Sequence, residues 1–348
     1  MFAADTKAGG QPSSAMPSAR IAWKEIVEPV TPFLDQVARR LVEQVDAFDP
    51  EISSYARYAL TNQGKQLRPV LVALSADATG GLNDSLVTAA TIIEMVHLAT
   101  LVHDDVMDEA SVRRCRPTMA ANWGNQISVL VGDCLFAQAL HLAASFPTPE
   151  VCRVVSAATK AVCSGEIYQT HHRRNFKLGR EQYFRILQMK TGELFALSCD
   201  LGGKLSGASQ SQRMALRQYG LLVGTAYQIY DDCVDIFGSE ARSGKSLGTD
   251  LASGKLTLPL LIALERSSVA DREELCACLQ QWDAKFFPFL RAVLEKYDAQ
   301  NESRAVIHAF LGSARRELEI LPDSRSRAGL NGLAQFLSEQ TDSLGVLT

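Results

Sequence analysis

The sequence has few of the features that mark secreted, nucleic-acid-binding or low-complexity proteins. Its eight cysteines are scattered through 348 residues without a CxxC pair, which predicts reduced thiols in a cytoplasmic protein and no disulfide scaffold. Lysine and arginine number 35 against 39 acidic residues, a formal net charge of −4, so a nucleic-acid partner is not expected. Proline (12) and glycine (23) are sparse, which excludes collagen-like and disordered chains.

The sequence also lacks an apolar run free of ionisable groups, so no membrane span is predicted. The longest apolar segment, residues 86–106, is interrupted by Glu94, His97, His103, Asp104 and Asp105. Ionisable groups at these positions oppose membrane insertion. Residues 1–20 are rich in Ala, Gly, Ser and Pro and predict a flexible N-terminal tail, followed by one domain over residues 21–348.

Apolar periodicity predicts helices and no sheet. Residues 86–106, with Asp84 as the N-cap, are apolar around nearly the whole helix and predict a buried central helix; residues 212–237 predict a second. Further helices are expected at 33–47, 51–61, 69–78, 126–145, 150–170, 180–203 and 255–266. Because no stretch alternates with period two and no linker or repeat is found, the sequence predicts a single all-α domain.

Two DDxxD motifs end the two central helices. Their acidic residues are Asp104, Asp105 and Asp108 in the first motif and Asp231, Asp232 and Asp235 in the second. Residues four apart share a helix face, where like charges repel, so these motifs call for a cation. Paired carboxylates without a Cys or His cluster indicate Mg²⁺, which binds one or two carboxylates together with water or phosphate oxygens. The alternative to metal binding for a single DDxxD motif is a solvated helix end. Two such motifs, both on apolar helices, favour metal binding.

Basic residues are grouped around the two acidic motifs. They are Lys65, Arg68, Arg113, Arg114, Lys190, Lys245 and Lys255. A single lysine on a surface loop is usually just solvated. Carboxylates, Mg²⁺ and several Lys or Arg side chains together are the groups that hold a diphosphate.

Six signatures make the chain similar to the trans-type isoprenyl diphosphate synthases (polyprenyl synthetases) over residues 45–265. They are GKQLRP (64–69), EMVHLATLVHDDVMDEASVRR (94–114), GD (132–133), MKT (189–191), YQIYDDCVDIFG (227–238) and GKSLGTDLASGKLTLPLL (244–261). The resemblance implies an all-α bundle of antiparallel helices around a deep central cavity, the isoprenoid synthase fold, usually as a homodimer. It implies Mg²⁺-dependent head-to-tail (1′-4) condensation of an allylic diphosphate with isopentenyl diphosphate.

The resemblance also implies roles for individual residues. The expected isopentenyl diphosphate pocket comprises Lys65, Arg68, His97 and Arg114. The expected contacts of the allylic diphosphate are Arg113, Lys190, Thr191, Gln228, Lys245 and Lys255. The expected ligands of two or three Mg²⁺ ions are Asp104, Asp108 and Asp231, supported by Asp105, Asp232 and Asp235. These six carboxylates and Lys190 are the expected catalytic residues.

The length of the product is expected to depend on residues that precede the first motif. The growing chain should pass Ala99 and Thr100, with Val96 deeper, and Phe136 and Leu142 are candidate lower walls. Because Ala99 is not a bulky aromatic, the path is open and the sequence predicts an all-trans product of about C30 to C50. The alternative for Ala99 is simple packing between helices. Release of a lipid product leaves room for a peripheral membrane contact.

Three other functions share part of this pattern. A farnesyl or geranylgeranyl diphosphate synthase would differ only in product length. A non-catalytic partner subunit would be expected to have lost acidic residues, and both motifs are whole. A terpene cyclase joins no isopentenyl unit and would not need a second diphosphate pocket. One residue departs from the family pattern, because Cys115 follows the arginine pair where glycine is usual.

Overall fold

The computed structural model describes residues 23–61, 64–239 and 247–345. The predicted tail (1–20) and Lys245 lie outside the described residues. The α-helices of the described part are α1 (Trp23–Val27), α2 (Thr31–Asp46), α3 (Pro50–Leu60), α4 (Leu67–Asp77), α5 (Asp84–Met107), α6 (Met119–Ala144), α7 (Glu150–His171), α8 (Arg180–Leu187), α9 (Glu193–Leu205), α10 (Gln210–Phe237), α11 (Thr249–Ala252), α12 (Leu258–Arg266), α13 (Val269–Gln280), α14 (Phe287–Lys296), α15 (Ala299–Glu317) and α16 (Arg325–Asp342). Short 3₁₀ turns lie at Glu28–Val30, Ala284–Phe286 and Leu318–Ile320, and a π turn lies at Gln188–Gly192. The all-α fold class is confirmed.

Helices α5 and α10 lie at the centre of the bundle, as their apolar sequences predict. Helix α5 packs against α4, α6 and α9, and α10 packs against α9 and α15. A capping box starts α10: the Ser209 hydroxyl accepts from the Gln212 N–H (3.3 Å), and the Gln212 side chain accepts from the Ser209 N–H (2.9 Å). Such a box satisfies two backbone donors that a helix N-terminus leaves unpaired. One apolar core extends from Ile26 to Leu344.

The ends of some helices differ from the prediction. The N-cap of α5 is Asn83, whose side chain accepts from the Leu86 N–H (3.2 Å), so the assignment of Asp84 as the cap was wrong by one residue. Asp84 is the first helical residue and accepts a hydrogen bond from Arg40 (3.0 Å). The helix predicted over 180–203 consists of α8 and α9 joined by the π turn, a feature that apolar periodicity does not reveal.

One short hairpin contradicts the prediction that the chain has no strands. Val112–Arg113 pairs antiparallel with Arg116–Pro117, and two-residue strands are too short to show an alternating pattern. Arg114 (φ 50°) and Cys115 (φ 61°) form the turn, and a two-residue hairpin turn with both φ angles positive favours glycine. This explains why glycine is usual after the arginine pair. Here Cys115 adopts the left-handed conformation in its place.

Two helices are long and apolar enough to cross a membrane, judged by length and composition alone. Helix α5 has 24 residues, and 72% of its apolar window is buried inside the protein, so it is a core helix. Helix α6 has 26 residues, and only 33% of its window is buried. It exposes Trp123, Val129, Leu130 and Leu140. The sequence analysis did not anticipate this uncovered apolar face.

Candidate active site

Both acidic motifs open onto one cavity of about 2130 Å³ at the C-terminal ends of α5 and α10. Asp104, Asp105 and Asp108 of the first motif and Asp231 and Asp232 of the second line this cavity. Every basic residue predicted to bind a diphosphate and present among the described residues also lines it: Lys65, Arg68, Arg113, Arg114, Lys190 and Lys255. Helix geometry brings the two motifs together although they are far apart in sequence.

The carboxylates of the first motif are partly paired with cations. Arg113 Nε lies 2.7 Å from Asp105, and Asp108 accepts from Arg173 Nη2 (3.0 Å) and Lys255 Nζ (2.8 Å). Burial opposes ionisation of Asp108, but Lys255, Lys190 and Arg173 outweigh it and hold the pKa of this carboxyl below its usual value. Arg173 was not predicted to bind this motif; the sequence shows it only as part of a polar segment.

Asp104 is in a different situation from Asp108. Its side chain has no hydrogen bond or ion pair with any residue that the structure describes. Burial, together with the neighbouring Glu166 and Asp108 carboxylates, raises the pKa of Asp104 to about 6, despite the opposing charge of Lys190. A half-buried carboxylate that faces the cavity without a direct hydrogen-bond or ion-pair partner among the described residues is suited to bind a metal cation.

The second motif is held by hydrogen bonds. Tyr183 Oη donates to Asp232 Oδ2 (2.6 Å), and Gln228 Nε2 donates to Asp232 Oδ1 (2.9 Å). Thr191 Oγ1 in turn donates to Gln228 Oε1 (2.8 Å). Burial is the main reason that the pKa of Asp232 rises to about 8, and the nearby Asp250 and Asp231 add to it. This network fixes two residues expected to contact the allylic diphosphate.

Asp235 is not among the residues that line the cavity, and its expected support of the metal site stays a prediction. Its carboxylate is 1% exposed and accepts from the Thr249 N–H (3.2 Å), the Thr249 hydroxyl (2.9 Å) and the Asp250 N–H (3.1 Å). These bonds cap the N-terminus of α11. Asp235 thus fixes the start of the segment that carries Asp250 and Lys255.

Lys255 connects the two halves of the site. Its ammonium group lies 2.8 Å from Asp108 in the first half and 3.6 Å from Asp250, which follows the second motif. The residue is only 9% exposed, and a buried ion pair is poorly screened by solvent. The segment after the second motif is thus tied directly to the first motif.

Arg68, His97 and Arg114 form one basic cluster, as expected for an anion pocket. The Arg68 guanidinium lies over the Phe195 ring (5.0 Å to the centroid) beside the buried Glu94. Burial and the neighbouring arginines lower the pKa of His97 well below its usual value, so this imidazole is neutral.

Gly64 and Lys65 complete this cluster. A Cβ on Gly64 would lie 2.4 Å from the Arg114 guanidinium, so glycine leaves this space to the arginine side chain. Lys65 Nζ lies over the Phe336 ring (4.9 Å). The cation–π contact holds its ammonium at the edge of the cavity. The GKQLRP signature therefore joins the arginine pair in space.

Glu94 is a cluster member that the sequence analysis missed. It is 4% exposed, and its Oε2 has no hydrogen-bond partner in the part of the chain that the structure describes; the same is true of Arg68 Nε. Burial raises the pKa of Glu94, whereas Arg68 and Arg114 oppose this rise. A buried acid in an apolar helix was available as a signal, but its partners become evident only in three dimensions.

The predicted wall residues divide into two groups. Thr100 and Phe136 line the cavity. Val96 and Ala99 are fully buried between helices, and Leu142 packs against the core. None of these three is among the lining residues. Thr100, four residues before Asp104, is on the same helix face as Asp104, whereas Ala99, five residues before it, is not.

The carboxylates fit a metal that is shared with a ligand. No group of three or more His, Cys, Asp or Glu side chains in the described ranges is arranged to hold a metal ion by itself. Mg²⁺ usually binds one or two protein carboxylates and completes its shell with water and phosphate oxygens. Asp104, Asp108 and Asp231, which line one cavity beside the basic cluster, match that requirement.

Comparison with known proteins agrees with this geometry. A family model described as polyprenyl synthetase matches residues 49–286. The heptaprenyl diphosphate synthase component 2 of Bacillus subtilis (strain 168) is 34% identical over 88% of this chain and 88% of its own. The nonaprenyl diphosphate synthase of Mycobacterium tuberculosis is 39% identical over 78% and 82%. A polyprenyl synthase from Caulobacter crescentus CB15, solved with calcium and isoprenyl diphosphate, superposes with a TM-score of 0.87 at 30% identity, covering 92% of this chain and 99% of that one.

Proposed function

This chain belongs to the polyprenyl synthetase family and is a trans-prenyltransferase that elongates prenyl chains, and we propose that its product is an all-trans polyprenyl diphosphate of about C30 to C50. Each cycle joins an allylic diphosphate to isopentenyl diphosphate and releases diphosphate. The observation that carries this proposal is the meeting of both DDxxD motifs and the basic residues in one cavity.

Asp104, Asp108 and Asp231 would hold magnesium in this cavity, with two or three ions per site. When bound, magnesium supplies positive charge that favours departure of the allylic diphosphate. The neighbour from Caulobacter crescentus, solved with calcium and isoprenyl diphosphate, supports a divalent cation at this kind of site. The Asp104 carboxylate, which lines the cavity without a direct ion-pair partner among the described residues, supports it from the chain itself.

The basic side chains position the two substrates. Arg113, Lys190 and Lys255, with Lys245, pair with the allylic diphosphate and stabilise the charge that develops as its C1–O bond breaks. Lys65, Arg68 and Arg114 pair with isopentenyl diphosphate, beside the neutral His97. Both substrates are held so that the isopentenyl C4 faces the allylic C1, which is catalysis by positioning.

The rest of the reaction needs little from the protein. The new bond joins the isopentenyl C4 to the allylic C1, and C2 of the former isopentenyl unit then loses a proton to the released diphosphate. Thr191 donates a hydrogen bond to Gln228, which in turn donates to Asp232, and this network fixes Thr191 and Gln228 for contact with the allylic diphosphate. No protein nucleophile is required. Apolar walls such as Leu98, Leu101 and Phe136 exclude water that would quench the carbocation.

Thr100 supports the proposed product length. Thr100 is a small residue on the cavity wall one turn before Asp104, and a small side chain leaves room for a growing chain. The names of the relatives, heptaprenyl and nonaprenyl, correspond to seven and nine five-carbon units and fall within C30 to C50. A farnesyl or geranylgeranyl product would require a wall closer to the first motif.

We also propose that the protein is a homodimer in the cytoplasm. After the kink at Gly124, helix α6 exposes Leu130 and Leu140, apolar side chains that a second copy of the chain would cover. The eight cysteines are all free thiols, as the cytoplasm favours. A relative named as component 2 of its synthase makes the heteromeric alternative worth testing directly.

The test is incubation of the purified chain with Mg²⁺, isopentenyl diphosphate and farnesyl diphosphate, followed by mass analysis of the extracted prenols. Products of C30 to C50 formed by this chain alone support the proposal. Products no longer than C20 would replace it with a short-chain synthase. No product without a second protein would identify the chain as one component of a heteromeric enzyme.

A further inference from the structure

The ammonium group of Lys190 is held by two side chains of α7. Glu166 Oε2 lies 2.5 Å from Lys190 Nζ, and Gln169 Oε1 accepts from the same nitrogen at 2.9 Å. The Lys190 side chain is 17% exposed and that of Glu166 is 13% exposed. The cavity-lining surface of α7 includes both partners. A lysine with two fixed partners has far less freedom than its four-carbon side chain otherwise allows.

The backbone is built to bring these groups together. A Cβ on Gly165 would lie 2.6 Å from the Lys190 backbone nitrogen and 2.9 Å from the Met189 Cβ, so only glycine lets α7 approach the π turn this closely. Glu166 directly follows Gly165, and Gln169 is three residues further on the same face of α7. The π turn, Gln188–Gly192, carries Lys190 itself, and π turns are frequent at functional sites.

The electrostatics of the contact point in the same direction. Lys190 faces Asp104, Asp108 and Glu166, and their carboxylates outweigh burial in setting its protonation, so it stays positively charged. Glu166 is thus an acid that supplements the first motif without belonging to it.

We propose that Glu166 and Gln169 are positioning residues that fix the Lys190 ammonium and aim it at the allylic diphosphate. This inference rests on the proposed function, in which Lys190 contacts that diphosphate. These two residues, here called the clamp, also offset the charge of Lys190 through the Glu166 carboxylate while no substrate is bound. A purely structural ion pair would affect stability and leave substrate discrimination unchanged.

The test measures steady-state elongation by the full chain with each substrate varied in turn. Glu166→Gln should lower kcat/KM for the allylic diphosphate by roughly 10- to 100-fold, because a displacement of about 1 Å has effects of that order. The KM for isopentenyl diphosphate should stay within about twofold of wild type, since none of the residues assigned to its pocket is on α7 or the π turn. Glu166→Asp, which keeps the charge, should recover part of the loss.

Glu150→Gln is the matched control. Glu150 is on α7, like Glu166, and it also forms an ion pair with a lysine, Lys204 of α9. This pair is at the exposed start of α7, outside the cavity. Its loss should leave both KM values and kcat unchanged. An equal effect of Glu150→Gln and Glu166→Gln would overturn the clamp, as would unchanged allylic kinetics in Glu166→Gln.

Two further variants separate the possible failures. If Glu166→Gln does not fold, Gln169→Ala decides: we expect a severalfold rise in the allylic KM, and no rise refutes the clamp. Lys190→Ala should lower kcat/KM for the allylic diphosphate more than Glu166→Gln or Gln169→Ala does. A wild-type chain without elongation activity would contradict the proposed function itself, whereas normal allylic kinetics in Lys190→Ala would contradict only the role given to that lysine.

Discussion

The two DDxxD motifs have the same spacing and end the same kind of helix, but their carboxylates are held differently. In the first motif all three carboxylates line the cavity, and Asp108 is paired with Lys255 and Arg173. In the second motif Asp232 is held by Tyr183 and Gln228, and Asp235 is outside the cavity.

This difference shows that a motif fixes a helix face but not the partners of that face. Asp108 meets cations from later segments, whereas Asp235 meets the backbone of α11 and becomes its cap. We therefore expect the first motif to hold metal through two carboxylates and the second through Asp231. Substitutions within each motif should separate these roles.

The largest expected effect is on turnover. Asp104→Asn and Asp231→Asn should each lower kcat by on the order of 100- to 1000-fold, because each removes a charge that the transition state requires. Circular dichroism should show an unchanged helical content. The exposed Asp35 on α2 provides the control, since Asp35→Asn should be neutral. Near-normal turnover in either motif variant would reject the assignment of metal ligands.

Asp235→Ala should act on stability first. Its buried carboxylate accepts three hydrogen bonds, and their loss leaves the donors of α11 unpaired, so the free energy of unfolding should fall by about 2–3 kcal/mol. Urea denaturation should be measured for this variant and for Asp104→Asn. The free energy of unfolding of Asp104→Asn should fall little. A large loss of turnover in Asp235→Ala with wild-type stability would instead place Asp235 in the metal site.

The sequence is sufficient for the features that depend on local pattern. The apolar positions of α5 and α10 predict buried helices, and the spacing of the aspartates predicts which of them share a face. It is not sufficient for contacts between distant segments. The pairing of Lys190 with Glu166, the closure of Asp235 onto α11 and the exclusion of Ala99 from the cavity wall depend on how helices pack, which no local pattern records.

In the metal-free protein Asp108 of the first motif and Asp232 of the second should respond to pH with opposite signs. The folded-state pKa of Asp108 is lowered, so it contributes stability that is present above its unfolded pKa near 3.8 and is lost as the pH falls through the lower folded value. The folded-state pKa of Asp232 is raised to about 8, so its contribution is greatest at low pH and is lost as the pH rises from about 4 to 8.

Unfolding midpoints measured across pH 3 to 9 with a chelator present would check this. Asp232→Asn should flatten the decline in stability on the alkaline side, and Asp108→Asn should flatten the rise on the acidic side. If both variants changed the same side of the stability–pH profile, the assignment of Asp108 as a cation-paired carboxylate and of Asp232 as a desolvated one would be wrong.

The smallest expected effects concern the residues at which the two helices end. After the first motif, Glu109 adopts φ 51°, a left-handed conformation that costs an L-residue about 1–2 kcal/mol and that glycine adopts freely. After the second motif, Gly238 has an ordinary φ of −74°, but a Cβ there would lie 2.4 Å from the Val234 carbonyl oxygen. Glycine is therefore needed at the second position for space and favoured at the first for conformation.

Adding a side chain at the second helix end and removing one at the first tests these two roles of glycine. Gly238→Ala should destabilise the protein by roughly 1–3 kcal/mol because the backbone must shift. Glu109→Gly should stabilise it by less than about 1 kcal/mol, since the relief of strain is partly offset by the greater freedom of glycine in the unfolded chain. Denaturation midpoints of the two variants measure both effects. A destabilised Glu109→Gly variant would show that the Glu109 side chain contributes more than its backbone conformation costs.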